Sequence, residues 1–176
     1  MSSGKLVNFG ATAPAADWHR ESWSAQGDVA DLVTAYAGWS PRLLELFEAA
    51  DTVSRWAIRD RAPLTSWARD RIVLLGDAAH PMLPFLAQGA NQAIEDAACL
   101  AACLADPGLA DVDAALAHYQ RLRIRRVARI QEVSTANTEL FHLPDGSDQR
   151  ARDAQLAAGT PDGYDWIYRH DATEIN

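Results

Sequence analysis

The chain has 176 residues, 48% of them hydrophobic, with 16 basic against 24 acidic side chains and a net charge of -8. These are the proportions of a globular protein, and they exclude a disordered one. So acidic a chain has no basic surface with which to bind nucleic acid or an anionic membrane in general. No apolar run approaches a membrane span and the first residues hold no signal-peptide core, so the sequence predicts a cytoplasmic protein with no membrane partner. Lys5 is the only lysine beside fifteen arginines, which all but removes a catalytic lysine.

In chain order, Lys5 to Thr12 (KLVNFGAT) has strand-like content, and Asp17 to Gly27 reads as loop. Asp28 heads a helix with Val29, Leu32, Val33 and Tyr36 at helical spacing and Gly38 as its stop; Pro41 starts a second, with Leu43, Leu44 and Phe47 on its apolar side. Thr52 to Asp60 reads as a strand, and Arg61 to Asp70 as a connection. Ile72 to Leu75 is a short continuous apolar run ended by Gly-Asp, as expected of a parallel strand buried on both faces. Gly89 to Ala105 reads as a helix whose inner face is Ala93, Ile94, Ala97, Leu100, Ala101 and Leu104. A long helix from about Asp111 to Leu140 follows, its apolar stripe made of Val112, Leu116, Tyr119, Leu122, Val127, Ile130 and Val133.

The arginines at 121, 123, 125, 126 and 129 cover much of the rest of that helix. They read either as a phosphate or partner site or, more simply, as a solvated face paired with acidic neighbours. Beyond the Pro144–Gly146 turn the chain reads as a polar tail packed down by Trp166 and Tyr168. Cys99 and Cys103, four apart on one helix, have poor geometry for a disulfide and read as small buried core residues. The five histidines show no metal-ligand spacing. One internal strand with two peripheral ones cannot close a parallel sheet, so the chain is expected to be part of a larger fold, with the faces of Ile72–Leu75 and Lys5–Thr12 partly uncovered.

The chemistry concentrates between Gly76 and Ala97, GDAAHPMLPFLAQGANQAIEDA. Asp77 follows a strand end, where an α/β sheet meets its ligand, and its carboxylate can accept hydrogen bonds from polyol hydroxyls. Pro81 and Pro84 stiffen the loop between. Gly89 lets backbone approach a ligand closely, and the free amides of the following helix start, at Ala90 and Asn91, stabilise negative charge. His80 has the chemistry of a general base for a phenol, or else packs the loop.

RIVLLGDAAHPMLPFLAQGANQAIEDA resembles the second FAD motif of the single-component FAD-dependent aromatic monooxygenases, closest to the salicylate hydroxylase and 3-hydroxybenzoate 6-hydroxylase group. LVNFGAT, YAGWSPRLLELFEAAD and FHLPDGSDQRARDAQL are similar to that group's flanking segments, so the resemblance covers roughly Leu6 to His170. It implies an α/β fold: part of a Rossmann-like FAD-binding domain of the glutathione-reductase type, with a remnant of the substrate-domain sheet and a long C-terminal helix. Residues 1–60 would belong to the substrate-binding domain, 61–110 to the FAD-binding domain, and 111–176 to the long helix and tail.

Carried over residue by residue, the resemblance implies that Asp77 hydrogen-bonds the ribityl chain of FAD, with Gly76 among the cofactor-binding residues. Pro84 presents its carbonyl near the reactive edge, and Gly89, Ala90 and Asn91 contact the isoalloxazine. Gln88 reaches flavin or substrate, and Leu83 and Phe85 wall the substrate pocket. Pro84 and His80 are the catalytic candidates, while Glu95 and Asp96 fit a structural role. The implied reaction hydroxylates a small aromatic substrate with NADH or NADPH as reductant. No GxGxxG for the ADP half of FAD occurs in the sequence. The chain is therefore expected to be incompetent alone and to oligomerise or need a complementary N-terminal half. The alternative is a non-catalytic fragment or interaction protein that binds no flavin. A magnesium phosphohydrolase reading of VLLGDAAH fails for want of a DxD nucleophile upstream.

Overall fold

The computed structural model describes residues 4–13, 22, 24–159 and 163–175. They fall into two compact units, Met1–Ile58 and Arg59–Asn176. Most of the predicted loop between Asp17 and Gly27 lies outside the described residues.

In the first unit Asp28 caps helix α1 (Val29–Ala35) by accepting the Ala30 amide at 2.8 Å, as its position before an apolar-periodic run requires. Gly38 turns the chain at φ +88°, and Pro41 opens α2 (Pro41–Glu48). Phe47 is the buried centre, with the rings of Phe9 and Tyr36 at 5.0 and 5.2 Å. Strand β1 (Gln26–Gly27) pairs antiparallel with β2 (Val53–Ser54). Two strand expectations are corrected here. Lys5 to Thr12 forms no strand, because it is anchored by its side chain and a carbonyl rather than by a ladder: Phe9 packs on Phe47, and the Tyr36 hydroxyl donates to the Thr12 carbonyl at 2.6 Å. The strand over Thr52 to Asp60 shrinks to Val53–Ser54, since β1 offers only two residues to pair with, and Trp56 and Ile58 lie exposed.

In the second unit the expected connection from Arg61 to Asp70 contributes β3 (Ala68–Arg69), which pairs antiparallel with β4 (Ile72–Val73). Asp70 takes the left-handed conformation at the turn, φ +51°, which aspartate tolerates better than most residues. The parallel, doubly buried strand expected over Ile72 to Leu75 is therefore a two-residue hairpin arm, with Ile72 71% exposed. Its nearest partner is its own preceding segment, and no parallel neighbour pairs with it among the described residues. Leu6, Val7, Ile72 and Leu75 are all exposed, as the partial sheet predicts.

Helices α3 (Gly89–Ala105) and α4 (Val112–Phe141) pack against each other and carry the core, with Trp67, Ala79, Cys99, Cys103, Ala115, Tyr119 and Val127 at its centre. The helix boundaries match the periodicity; the face of α3 does not. Its buried residues are Gln92, Asp96, Cys99 and Cys103, whereas Ile94 and Leu104 are exposed. Polar residues turn inward because α4 supplies their partners. On α4 the buried line runs Leu116, Tyr119, Arg123, Val127, Ile130, Ser134, Asn137, a continuous helical stripe that includes polar members.

Beyond Gly146 the tail forms α5 (Ser147–Ala158) and a short α6 (Asp165–Tyr168), neither legible as helix in its polar sequence. Ile167, not Tyr168, is the buried anchor; Tyr168 stays exposed while Trp166 lies under the Arg129 guanidinium at 3.9 Å.

Both cysteines are buried and free. Burial, with Cys103 beside it, pushes the Cys99 thiol up to about 12, and burial raises Cys103 as well. A disulfide reagent should therefore leave the native protein unmodified at neutral pH and titrate both thiols once urea unfolds it. Modification of either thiol in the native state would show that the α3–α4 contact opens.

Candidate functional site

The Gly-Asp turn is a single 3₁₀ turn, Gly76–Ala78, at the end of the β4 arm. Gly76 needs to be glycine twice over: its φ is +59°, and a Cβ there would sit 3.2 Å from the Cβ of Ala93 on α3. The turn exposes its first two side chains, Asp77 and Ala78, and buries the next two. Asp77 is exposed on a groove, while Ala79 and His80 are buried against α3 and Trp67. From the side, Arg61 donates through Nη2 to the Ala78 carbonyl at 2.5 Å.

Asp96 holds the turn from within. One of its oxygens, Oδ2, accepts the Gly76 amide at 3.0 Å and lies 2.6 Å from His80 Nε2; the other, Oδ1, accepts Arg123 Nε at 2.8 Å. Arg123 is 1% exposed. Its Nη1 donates to Glu95 Oε2 at 2.7 Å, and its Nη2 to the Gln92 side-chain oxygen at 2.8 Å. The expectation of a solvated arginine face is thus corrected at Arg123. A guanidinium has five donors in a fixed fork, and here four hydrogen bonds reach two carboxylates, an amide and a backbone carbonyl, which makes burial tolerable. Burial pushes the Asp96 carboxyl up, but hydrogen bonds from His80, Arg123 and the Gly76 amide, with the Arg123 charge, outweigh it and leave Asp96 below the ordinary carboxylate value. Glu95 is lowered in the same way: burial opposes, and the hydrogen bonds and charges of Arg126 and Arg123 prevail.

The loop after His80 is tied down by its carbonyls. Along α4, Gln131 donates to the Pro81 carbonyl at 2.9 Å, Ser134 to that of Leu83 at 2.5 Å, and Asn137 to that of Phe85 at 3.0 Å. Alternate loop residues meet every third helix residue. The loop ends in a 3₁₀ turn, Pro84–Leu86, and a left-handed Ala87, φ +53°.

The groove beside this loop has a volume of about 340 Å³ and is lined by Asp77, Met82, Leu83, Pro84, Ala87, Gln88, Gly89 and Ala90. Six of the residues expected to bind cofactor or substrate thus come together: Asp77, Leu83, Pro84, Gln88, Gly89 and Ala90. Gly76 is buried behind it, and Asn91 lies on the exposed side of the first helical turn, donating to the Ala87 carbonyl at 3.4 Å. Gln88 is buried, its side-chain oxygen accepting from Gln92 at 3.3 Å. Phe85 packs against the rings of Phe141 and His142 near the end of α4. His80 is fully buried, and its Nδ1 has no hydrogen-bond partner among the described residues.

Among the described residues no side chain caps α3, so the amides of its first turn have no side-chain acceptor. A Cβ at Gly89 would project between Met82 and Asp77 at 3.8 and 3.9 Å, making only ordinary contacts within the protein. The chain's own packing does not demand a glycine there.

Arg61, Arg123, Gln131, Ser134 and Asn137 were not predicted as site residues. Register was the available signal: Arg123, Ser134 and Asn137 continue the spacing of Leu116, Tyr119, Val127 and Ile130. Substituting Arg123→Met strands Asp96 as a buried charge, and urea unfolding should register a loss of about 3–5 kcal/mol. The acid limb gives a second check. Glu95 and Asp96 have ordinary values of 4.5 and 3.8 and lie below them when folded, so the unfolded chain takes up protons first as pH falls. Their contribution is present in full above about pH 4.5 and is lost as pH falls through the lowered folded values. Asp96→Asn should flatten that acid limb; an unchanged limb would place acid sensitivity elsewhere.

The chain matches the family described as FAD binding domain over residues 18–134. It is 43% identical over 173 residues to 3-amino-4-hydroxybenzoate 2-monooxygenase PtmB3 of Streptomyces platensis, an alignment covering 97% of this chain and 43% of that protein. Over 120 residues it is 48% identical to 6-hydroxynicotinate 3-monooxygenase of Bordetella bronchiseptica, covering 68% of this chain and 31% of that one. Among solved structures it superposes on a salicylate hydroxylase substrate complex with a TM-score of 0.74 at 27% identity, covering 90% of this chain and 39% of the other. The chain therefore spans about two-fifths of the length of relatives such as these. On the matched residues, and on a groove that keeps Asp77, Pro84 and Gly89 together, the chain belongs to the FAD-binding domain family that the flavoprotein aromatic monooxygenases share.

Proposed function

We propose that the groove beside Asp77 seats the ribityl and isoalloxazine part of FAD in an aromatic monooxygenase. The whole enzyme would hydroxylate a phenolic or aromatic-acid substrate with NADH or NADPH as reductant. The single observation that carries this reading is Gly89, a glycine that the protein's own contacts do not require, at the uncapped start of α3 and across from Asp77. Bound flavin supplies the redox chemistry with oxygen.

The residues then divide the work. Asp77 accepts hydrogen bonds from polyol hydroxyls. The amides of Gly89, Ala90 and Asn91, with the positive end of α3, hold negative charge on the ring system. Pro84 and Leu83 present a stiff wall whose position is fixed by Ser134 and Asn137, and Phe85 backs that wall. Gln88 acts from beneath, through Gln92, rather than by reaching across the groove. His80 is sealed from substrate by complete burial, so its assigned role is to hold the turn through Asp96 and not to act as base. Two relatives named for 3-amino-4-hydroxybenzoate and 6-hydroxynicotinate support a hydroxylated aromatic acid as substrate. With no GxGxxG in the sequence, the chain alone holds no ADP-binding segment of that type and is inactive by this reading.

The test is a fluorescence titration with FAD and with riboflavin. The groove serves only the part common to both, so the two should bind with comparable affinity. Gly89→Ala should leave the melting temperature unchanged or raised, since alanine suits a helix better. The same change should weaken flavin binding by about 1–3 kcal/mol, the usual cost of overfilling a fitted site. Wild-type chain that quenches neither flavin, or a Gly89→Ala variant that binds as well as wild type, would overturn the assignment and favour a non-catalytic interaction protein.

A further inference from the structure

The described tail residues, 163–175, are held by side chains of α4, and His170 Nε2 lies 3.8 Å from Glu95 Oε2 on α3. Arg126 donates through Nη1 to the Trp166 carbonyl at 2.7 Å and through Nη2 to the Ile167 carbonyl at 2.9 Å. The Arg129 guanidinium stacks on the Trp166 ring, Ile167 is buried, and His118 Nε2 lies 2.6 Å from the Ile175 carbonyl. A polar tail with so many specific anchors is not a loose end.

Arg126 also faces the other way. Its Nε and Nη2 clasp both oxygens of Glu95 on α3, at 2.8 and 2.9 Å. Glu95 is where two paths to the groove begin. On one, Glu95 Oε2 is shared with Arg123, which grips Asp96, which in turn holds the Gly76 amide and His80. On the other, Glu95 Oε1 accepts Gln92 Nε2 at 3.0 Å, and that same nitrogen donates to Gln88 on the groove. A guanidinium is planar and its donors are fixed in direction, so the tail carbonyls set the plane in which Arg126 offers its remaining edge to Glu95. Removing those acceptors frees a half-buried arginine to swing to solvent, and Glu95 loses two of its charged hydrogen bonds.

We propose that the tail is a strap that sets the geometry of the groove, with Arg126 as a positioning residue acting through Glu95. The part of this proposal that concerns flavin rests on the function proposed above; the mechanical coupling does not. Ile167 is the handle on the strap, because its side chain is buried and more than 70 positions separate it from the groove residues in sequence.

The experiment compares wild type with Ile167→Ala, Ile167→Val and Arg126→Gln in the full chain, by amide hydrogen exchange followed by flavin titration. In Ile167→Ala and Arg126→Gln the Gly76 amide, which donates to Asp96, should exchange about tenfold faster, a usual size for coupling between sites. The amides of Cys99 and Cys103, further along α3, should be unaffected. Ile167→Val should restore slow exchange at Gly76, and FAD and riboflavin affinity should follow the same order. General destabilisation would instead speed all α3 amides together, and that result would overturn the proposal. So would release of the tail, seen at the Ile167 amide, with Gly76 unchanged. If Ile167→Ala fails to fold, Trp166→Ala, which removes only the ring under Arg129, replaces it with the same expectation at Gly76. Coupled exchange in a chain that binds neither flavin would uphold the strap and overturn the flavin assignment alone.

Discussion

A carboxylate with no exposure to solvent, Asp96, sets the terms for everything around it. An ionised group in such a place is tolerable only if its lone pairs are filled, and three donors fill them: a backbone amide, an imidazole and a guanidinium. The donors come from two stretches of chain, the Gly76–His80 turn and α4. Satisfying Asp96 therefore forces the Gly76 turn, the His80 side chain and the middle of α4 to converge on one turn of α3. The fold of the second unit follows from that convergence as much as from its apolar contacts.

The convergence explains why the turn presents Asp77 outward. Gly76 is pinned by its amide and His80 by its ring, and between them Asp77 lies exposed on the groove. The loop that follows is treated differently but to the same end. Its carbonyls at Pro81, Leu83 and Phe85 are bound by α4, so a segment without regular ladder bonds still has its backbone satisfied. A site on a loop is usually soft; this one is fastened to a 30-residue helix along its length.

The apolar face of α3 that periodicity selects as inner, with Ile94 and Leu104, stays exposed within this chain, as do Ile72, Leu6 and Val7. Apolar surface on this scale, together with a two-residue hairpin in place of a buried strand, fits a chain that spans about two-fifths of its relatives. The groove opens at the N-terminal end of the same helix, so one helix serves both surfaces. Its inner stripe is polar at Gln92 and Asp96 and apolar at Cys99 and Cys103, and its outer stripe includes the exposed Ile94 and Leu104.

The sequence by itself determined the local parts. Capping aspartate, helix-starting proline, stopping glycine and 3.6-residue spacing placed α1, α2, α3 and α4 close to their bounds, because those signals act between near neighbours. Contiguity made the flavin motif legible too: Asp77, Leu83, Pro84, Gln88, Gly89 and Ala90 lie within fourteen positions and meet at one groove. Tertiary structure alone decided which polar side chains turn inward. Arg123 and Asp96 are each too costly to bury alone, and a stripe read by hydrophobicity assigns them to solvent. Their burial becomes favourable only when the other is in reach, and that pairing joins residues 27 positions apart on two helices. The same limit hid Gln131, Ser134 and Asn137, whose partners are loop carbonyls with no signature in the sequence. It hid the tail's grip on Arg126 as well, since a hydrogen bond to a main-chain carbonyl leaves no trace in residue type.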